Sequence, residues 1–184
     1  MSEPISDSDY GFLEHAIEGT SAPKSITDAL ELIDVEYLSF DGLRHRGQIV
    51  MHADLANEVR HIFTELLAIG FPIEKVAPIA AYGWDDERSM RDNNSSGFNY
   101  RLILDTDQLS NHSFGRALDL NPALNPYIKD KIAFPSGAVH DPAVPGTISA
   151  GSRVVRIFEE KGWKWGSEYD DRIDYQHFAK HGGL

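Results

Sequence analysis

Two good metal-binding groups, His112 and Asp119, stand in the run Ser110-Asn111-His112-Ser113-Phe114-Gly115-Arg116-Ala117-Leu118-Asp119-Leu120-Asn121-Pro122, among neighbours too small or too apolar for chemistry. A third group of the same kind lies near the end of the chain, His177 in Asp174-Tyr175-Gln176-His177-Phe178. Catalytic zinc keeps three protein ligands and one open position. Two imidazoles and one carboxylate fit that count, so one Zn2+ per chain is expected. Asp174 is then left over, three residues from a ligand, where a carboxylate can take the proton of an attacking water.

These groups need elements to hold them. The alternation Ala117-Leu118-Asp119-Leu120 reads as a short strand with both leucines facing a core and Asp119 on the other side, beside Ala117. Gly115 permits the bend that brings His112 round to join it. A helix is the rival geometry, since the same spacing is nearly two turns and would also stack the two side chains. Asn121-Pro122 would then end it abruptly.

The Ser-x-His-x-x-Gly-x-Ala-x-Asp run, followed downstream by Asp-x-x-His-Phe, resembles the M15 peptidases, zinc D-alanyl-D-alanine carboxypeptidases and L-alanyl-D-glutamate endopeptidases of peptidoglycan. Asn93-Asn94-Ser95-Ser96-Gly97-Phe98-Asn99-Tyr100-Arg101, Asn125-Pro126-Tyr127 and Gly162-Trp163-Lys164-Trp165-Gly166 resemble the same family. The resemblance implies a hedgehog/DD-peptidase-like fold, His112, Asp119 and His177 as zinc ligands, and Asp174 as the base. It also implies Arg101 in the cleft as a donor to the polarised carbonyl or the substrate carboxylate, and Ser110 touching substrate near the metal. Trp165 is expected on the cleft wall, with core packing as the alternative. The substrate implied is a peptidoglycan stem peptide, with the carboxypeptidase narrowly preferred over the endopeptidase. Trp165-Gly166-Ser167-Glu168-Tyr169 and Ala179 depart from the common family pattern and bear on substrate preference and ligand orientation. A zinc-containing binding module of the hedgehog type is the alternative from another class, and the retained Asp174 speaks against it.

Elsewhere the pattern predicts an arm over residues 1–34 with a short helix at 26–33, then a single catalytic domain over 35–184. Strands are expected at 37–42, 48–52, 76–82 and 98–104, the last carrying Arg101, and a long helix at 53–70 stopped by Gly70. Asp85-Asp86-Glu87 ahead of Arg88-Ser89-Met90-Arg91 reads as a capped helix start. A proline-rich, irregular wall follows to about residue 148, with His140 and Asp141 read as surface groups. A helix at 152–162, a strand at 163–165, a loop from 166 to 172 and a strand at 175–178 close the chain. Without regular βαβ alternation this is α+β, helices against one small, mostly antiparallel sheet.

Composition narrows the partners. In 184 residues there are 17 basic and 29 acidic side chains, a net charge of -12. That argues against nucleic acid, which needs basic patches, and against anionic membranes. Cysteine is absent, which excludes thiol catalysis and a disulfide framework. The first nine residues lack the basic start and apolar stretch of a signal peptide, so either the protein is made without a leader or a leader has been removed, and the expected site of action is the cell wall.

Overall fold

In the computed structural model, which describes residues 3–167, 169 and 172–180, the elements in chain order are as follows. β1 (Ile5–Ser6), α1 (Leu13–Ala16), α2 (Lys24–Thr27), β2 (Leu30–Leu38) and β3 (Arg44–His52) come first. α3 (Ala56–Ala68), β4 (Lys75–Val76), α4 (Asp86–Arg91) and β5 (Asn94–Ser95) follow, then β6 (Ala117–Asp119), β7 (Tyr127–Lys129), β8 (Ile132–Phe134), α5 (Arg153–Glu159), β9 (Lys164–Gly166) and β10 (Ile173–Ala179). Strands and helices are mixed, and the fold is α+β. No helix among the described residues is long and apolar enough to cross a membrane.

The expectation of one small, mostly antiparallel sheet is corrected: the described residues form three sheets. β1-β3-β2 joins an antiparallel hairpin to a parallel edge strand, β4-β5 is a parallel pair, and only β6-β10-β7-β8, with β9 also on β10, is antiparallel throughout. The parallel pairs come from segments far apart in the chain, which hairpin signals cannot reveal.

The main core lies between the β2–β3 hairpin, α3, α5 and the β6–β10–β9 sheet, where Ile33, Val59, Phe63, Leu118, Leu120, Phe158 and Phe178 are buried together. α3 exists because its apolar residues recur at helical spacing: Val59, Ile62, Phe63 and Leu66 share one buried face. A 3-10 turn at Ala53–Leu55 leads into it, and Gly70 follows it at φ 67°. Phe158 stacks on Phe178 at 3.8 Å between ring centres, which ties α5 to β10 one residue from His177.

Four local expectations change. The helix predicted at 26–33 shrinks to α2, because Leu30–Leu38 alternates in burial and pairs along its whole length with β3, from Leu30 opposite His52 to Leu38 opposite Arg44. The strand at 76–82 stops at Val76, since Pro78 opens a 3-10 turn over Ile79–Tyr82. At 98–104 the backbone bonds leave regular pairing: Phe98 N–H donates to Val50 O and Arg101 N–H to Ser113 Oγ. The irregular wall contains one ordered hairpin, β7–β8.

Candidate metal centre

His112 and Asp119 are placed by two different devices on either side of a glycine. Ser110 caps a 3-10 turn over Asn111–Phe114, its Oγ accepting from His112 N–H at 3.3 Å. Gly115 takes a left-handed conformation at φ 63°, and the chain then enters β6. A helix through both residues is thereby excluded. Leu118 in β6 and Leu120 just after it point into the core, and Asp119 the other way. Asp119 lies directly opposite His177 in the β6–β10 pairing, so the third group is supplied by strand register.

The donor atoms converge. His112 Nε2 is 3.1 Å from Asp119 Oδ2 and 3.1 Å from His177 Nδ1, and His177 Nδ1 is 3.0 Å from Asp119 Oδ1. All three residues are buried, and one ligand atom from each lies within 4.8 Å of the others. A tetrahedral centre with bonds of about 2.0–2.1 Å spaces its donors about 3.3–3.4 Å apart, so the triangle needs to open by only a few tenths of an ångström. The tautomer is set from behind: His112 Nδ1 donates to Gly97 O at 2.6 Å, which leaves the Nε2 lone pair facing Asp119 and His177. Burial raises the Asp119 pKa, but His112 and then His177 outweigh it and hold the carboxyl well below its usual range. The group therefore meets a cation as an anion. Two imidazoles and an ionised carboxylate, all buried, suit zinc.

Asp174 and His177 are three residues apart and would face opposite sides of a regular strand. They share one cleft because the pairing with β9 slips: Gly166 opposes Asp174 and Trp165 opposes Phe178, so four steps along β10 match one along β9. The Asp174 residue is only half-buried, yet its Oδ1 is occluded and has no hydrogen-bond partner. Burial pushes its carboxyl up to about 7, reinforced by the Asp119 charge and opposed by His177, Arg101 and Arg172.

The sign of the resulting pH dependence follows. Between the unfolded value of 3.8 and about 7, folded Asp174 keeps a proton that the unfolded chain has released. Its contribution therefore becomes less favourable as pH rises through that window and is level above it. In metal-free protein, Asp174→Asn is expected to gain stability over the parent as pH rises from about 4 to about 7. Urea midpoints of chelator-treated protein at pH 5 and pH 8 check this: an equal difference at both pH values contradicts it.

The cleft above these groups has a volume of about 230 Å³. Arg101 and Ser110 both line it. Arg101 Nε forms an ion pair with Asp86 Oδ2 at 2.9 Å, so the helix-starting acid of α4 is also its partner. Trp165 does not line the cleft: it is buried in the core, near-parallel to Phe178, and its Nε1–H donates to Tyr175 O at 2.8 Å. As a residue of β9 it packs under β10, which is why the cleft-wall reading fails. His140 stacks on Tyr175 at 3.7 Å and bonds Ile148 O. Of the departures noted above, Ser167 and Ala179 do not line the cleft, Tyr169 does, and Glu168 lies outside the described residues, as do Asp170 and Asp171 of the expected 166–172 loop.

Sequence reasoning missed Asp86, Tyr169, Arg172 and Gln176 as cleft residues. Arg172 sits over the Tyr169 ring at 4.7 Å, and its one sequence signal was a position two before Asp174. Gln176 is buried, its Nε2 reaches Met90 Sδ at 3.7 Å, and among the described residues its Oε1 has no hydrogen-bond partner.

Gly97 is the tightest fit behind the centre. A Cβ there would collide with Met51 Sδ and the Val50 carbonyl, so the Gly97 carbonyl that holds His112 must move. Gly97→Ala is expected to cost about 1–3 kcal/mol of stability and to lower metal affinity. Thermal midpoint and bound zinc, measured together, check both effects.

The family model described as D-alanyl-D-alanine carboxypeptidase, an M15 peptidase model, matches residues 104–180. That stretch holds Ser110, the three donors and Asp174. No curated protein and no solved structure matches the chain.

Proposed function

We propose, from the premise that residues 104–180 match the M15 peptidases, that this chain is a zinc-dependent peptidase of peptidoglycan stem peptides with a hedgehog/DD-peptidase-like catalytic domain over residues 35–184. The observation that carries the reading is the buried donor triangle of His112, Asp119 and His177 with Asp174 in the same cleft, its Oδ1 without a hydrogen-bond partner among the described residues.

His112, Asp119 and His177 would hold the metal. Zinc, when bound, supplies Lewis-acid polarisation of a carbonyl and makes water acidic near neutral pH. Asp174 takes the proton of the attacking water and returns it to the leaving amine. A carboxyl held near pH 7 is suited to both directions. Arg101, its Nε paired with Asp86 and its Nη1 donating to Leu102 O at 3.5 Å, lines the cleft and is assigned to the substrate carbonyl or carboxylate. Ser110 bounds the cleft beside His112 and is assigned to substrate contact.

Between the two bonds, we favour the terminal D-alanine. Arg101 and Arg172 both line the cleft, and a carboxypeptidase needs cationic donors for a free carboxylate. Zinc-loaded protein is incubated with a pentapeptide muropeptide and the products are weighed by mass spectrometry. Loss of one alanine is expected. Release of a peptide beginning at D-glutamate assigns the endopeptidase instead, and no product at all gives way to a zinc-containing binding module.

A further inference from the structure

A second, smaller cavity of about 140 Å³ adjoins the cleft, and Asp86 and Arg101 line both. Its other walls are Trp84, Asn99, Tyr100 and the loop from Gly19 to Ser21. That loop is pinned in place: Trp84 Nε1–H donates to Glu18 O at 2.9 Å, and a Cβ on Gly19 would sit 3.1 Å from the same nitrogen. Every residue of this cavity precedes the stretch that matches the peptidase family.

The lining says what kind of group fits. Its two charged residues neutralise one another at 2.9 Å, and the second Asp86 oxygen accepts from Asn99 Nδ2 at 3.0 Å. The Trp84 N–H is engaged by Glu18, so the ring offers carbon surface. What remains is two aromatic rings, a charge-compensated edge and the hydroxyls of Thr20 and Ser21. An uncharged ring with apolar faces and polar edges matches such a wall, whereas a charged amino-acid side chain finds no free counter-charge there.

We infer that the cavity bounded by Trp84, Tyr100 and the Gly19–Ser21 loop is a sugar subsite that holds an N-acetylated hexose of the glycan strand while the attached stem peptide lies in the metal cleft. The sugar's place in the substrate rests on the peptidoglycan reading. The subsite gives the N-terminal part of the chain a task in substrate selection.

Binding is read without catalysis, on metal-free or zinc-loaded full-length chain, by tryptophan emission during titration with N-acetylglucosamine oligomers. Trp163 and Trp165 are buried in the core, so a response reports on Trp84. A saturable change is expected. Tyr100→Ala should weaken it about tenfold, the upper range for loss of one aromatic contact. Ser21→Tyr, on an exposed loop position away from the core, should abolish it by filling the cavity. In parallel, kcat/KM for a disaccharide-linked stem peptide should exceed that for the free peptide, with the ratio falling toward one in Ser21→Tyr. No saturable change in the parent protein, or one that neither variant alters, overturns the subsite. Hydrolysis of the free peptide without sugar binding removes the subsite and leaves the peptidase; sugar binding without any hydrolysis does the reverse.

Discussion

Asp174→Asn is expected to bind zinc like the parent protein and to turn over substrate at least about 100-fold more slowly, the usual deficit for a missing general base. The substitution keeps size and shape and removes the acid–base function. Asp174 Oδ1 has no hydrogen-bond partner among the described residues, so the substitution breaks no bond made by that atom. The donor triangle is closed by Asp119 and the two histidines without it. The loss should therefore appear in kcat with metal content intact. If bound zinc falls in step with activity, Asp174 is a ligand and its role must be exchanged with one of the three.

Alanine at His112, Asp119 or His177 is expected to remove both metal and activity, since a catalytic zinc is held by three protein ligands and each variant leaves only two. Zinc added to the parent protein should raise its thermal midpoint, because a ligand that binds only the folded state stabilises it by mass action. Each of the three variants should lose that rise. Asp119→Ala should be the most damaging, because Asp119 faces both imidazoles at 3.0–3.1 Å and is the anion that both meet. Full zinc content in all three variants, measured by elemental analysis, contradicts the assignment.

What was legible in the sequence follows from what short-range patterns encode. The strand at Ala117–Asp119 could be read because Leu118 and Leu120 alternate with Asp119 and both reach the core. The long helix could be read because Val59, Ile62, Phe63 and Leu66 recur at its period. The grouping of His112 and Asp119 with His177 came from donor chemistry and family resemblance. The slip in β10 that turns Asp174 and His177 to one side has no local signature, since it depends on which strand lies alongside. Trp165 was misplaced for a related reason: alternation says that one face of β9 is buried, and nothing nearby says whether core or cleft covers it. Arg101 was expected in the cleft, and its partner Asp86 could be found only once α4 had been folded against it.

His177 and Asp119 are 58 residues apart in sequence, and His177 and His112 are 65 apart. No stretch of chain that forms early can gather the three donors, because closing such a loop costs entropy that only the finished β6–β10 pairing repays. Uptake of the proposed zinc would then serve as a clock for assembly. In a refolding experiment, a chromophoric chelator should surrender its metal only when that long-range register closes, so the time course of metal transfer would date the arrival of the last strand.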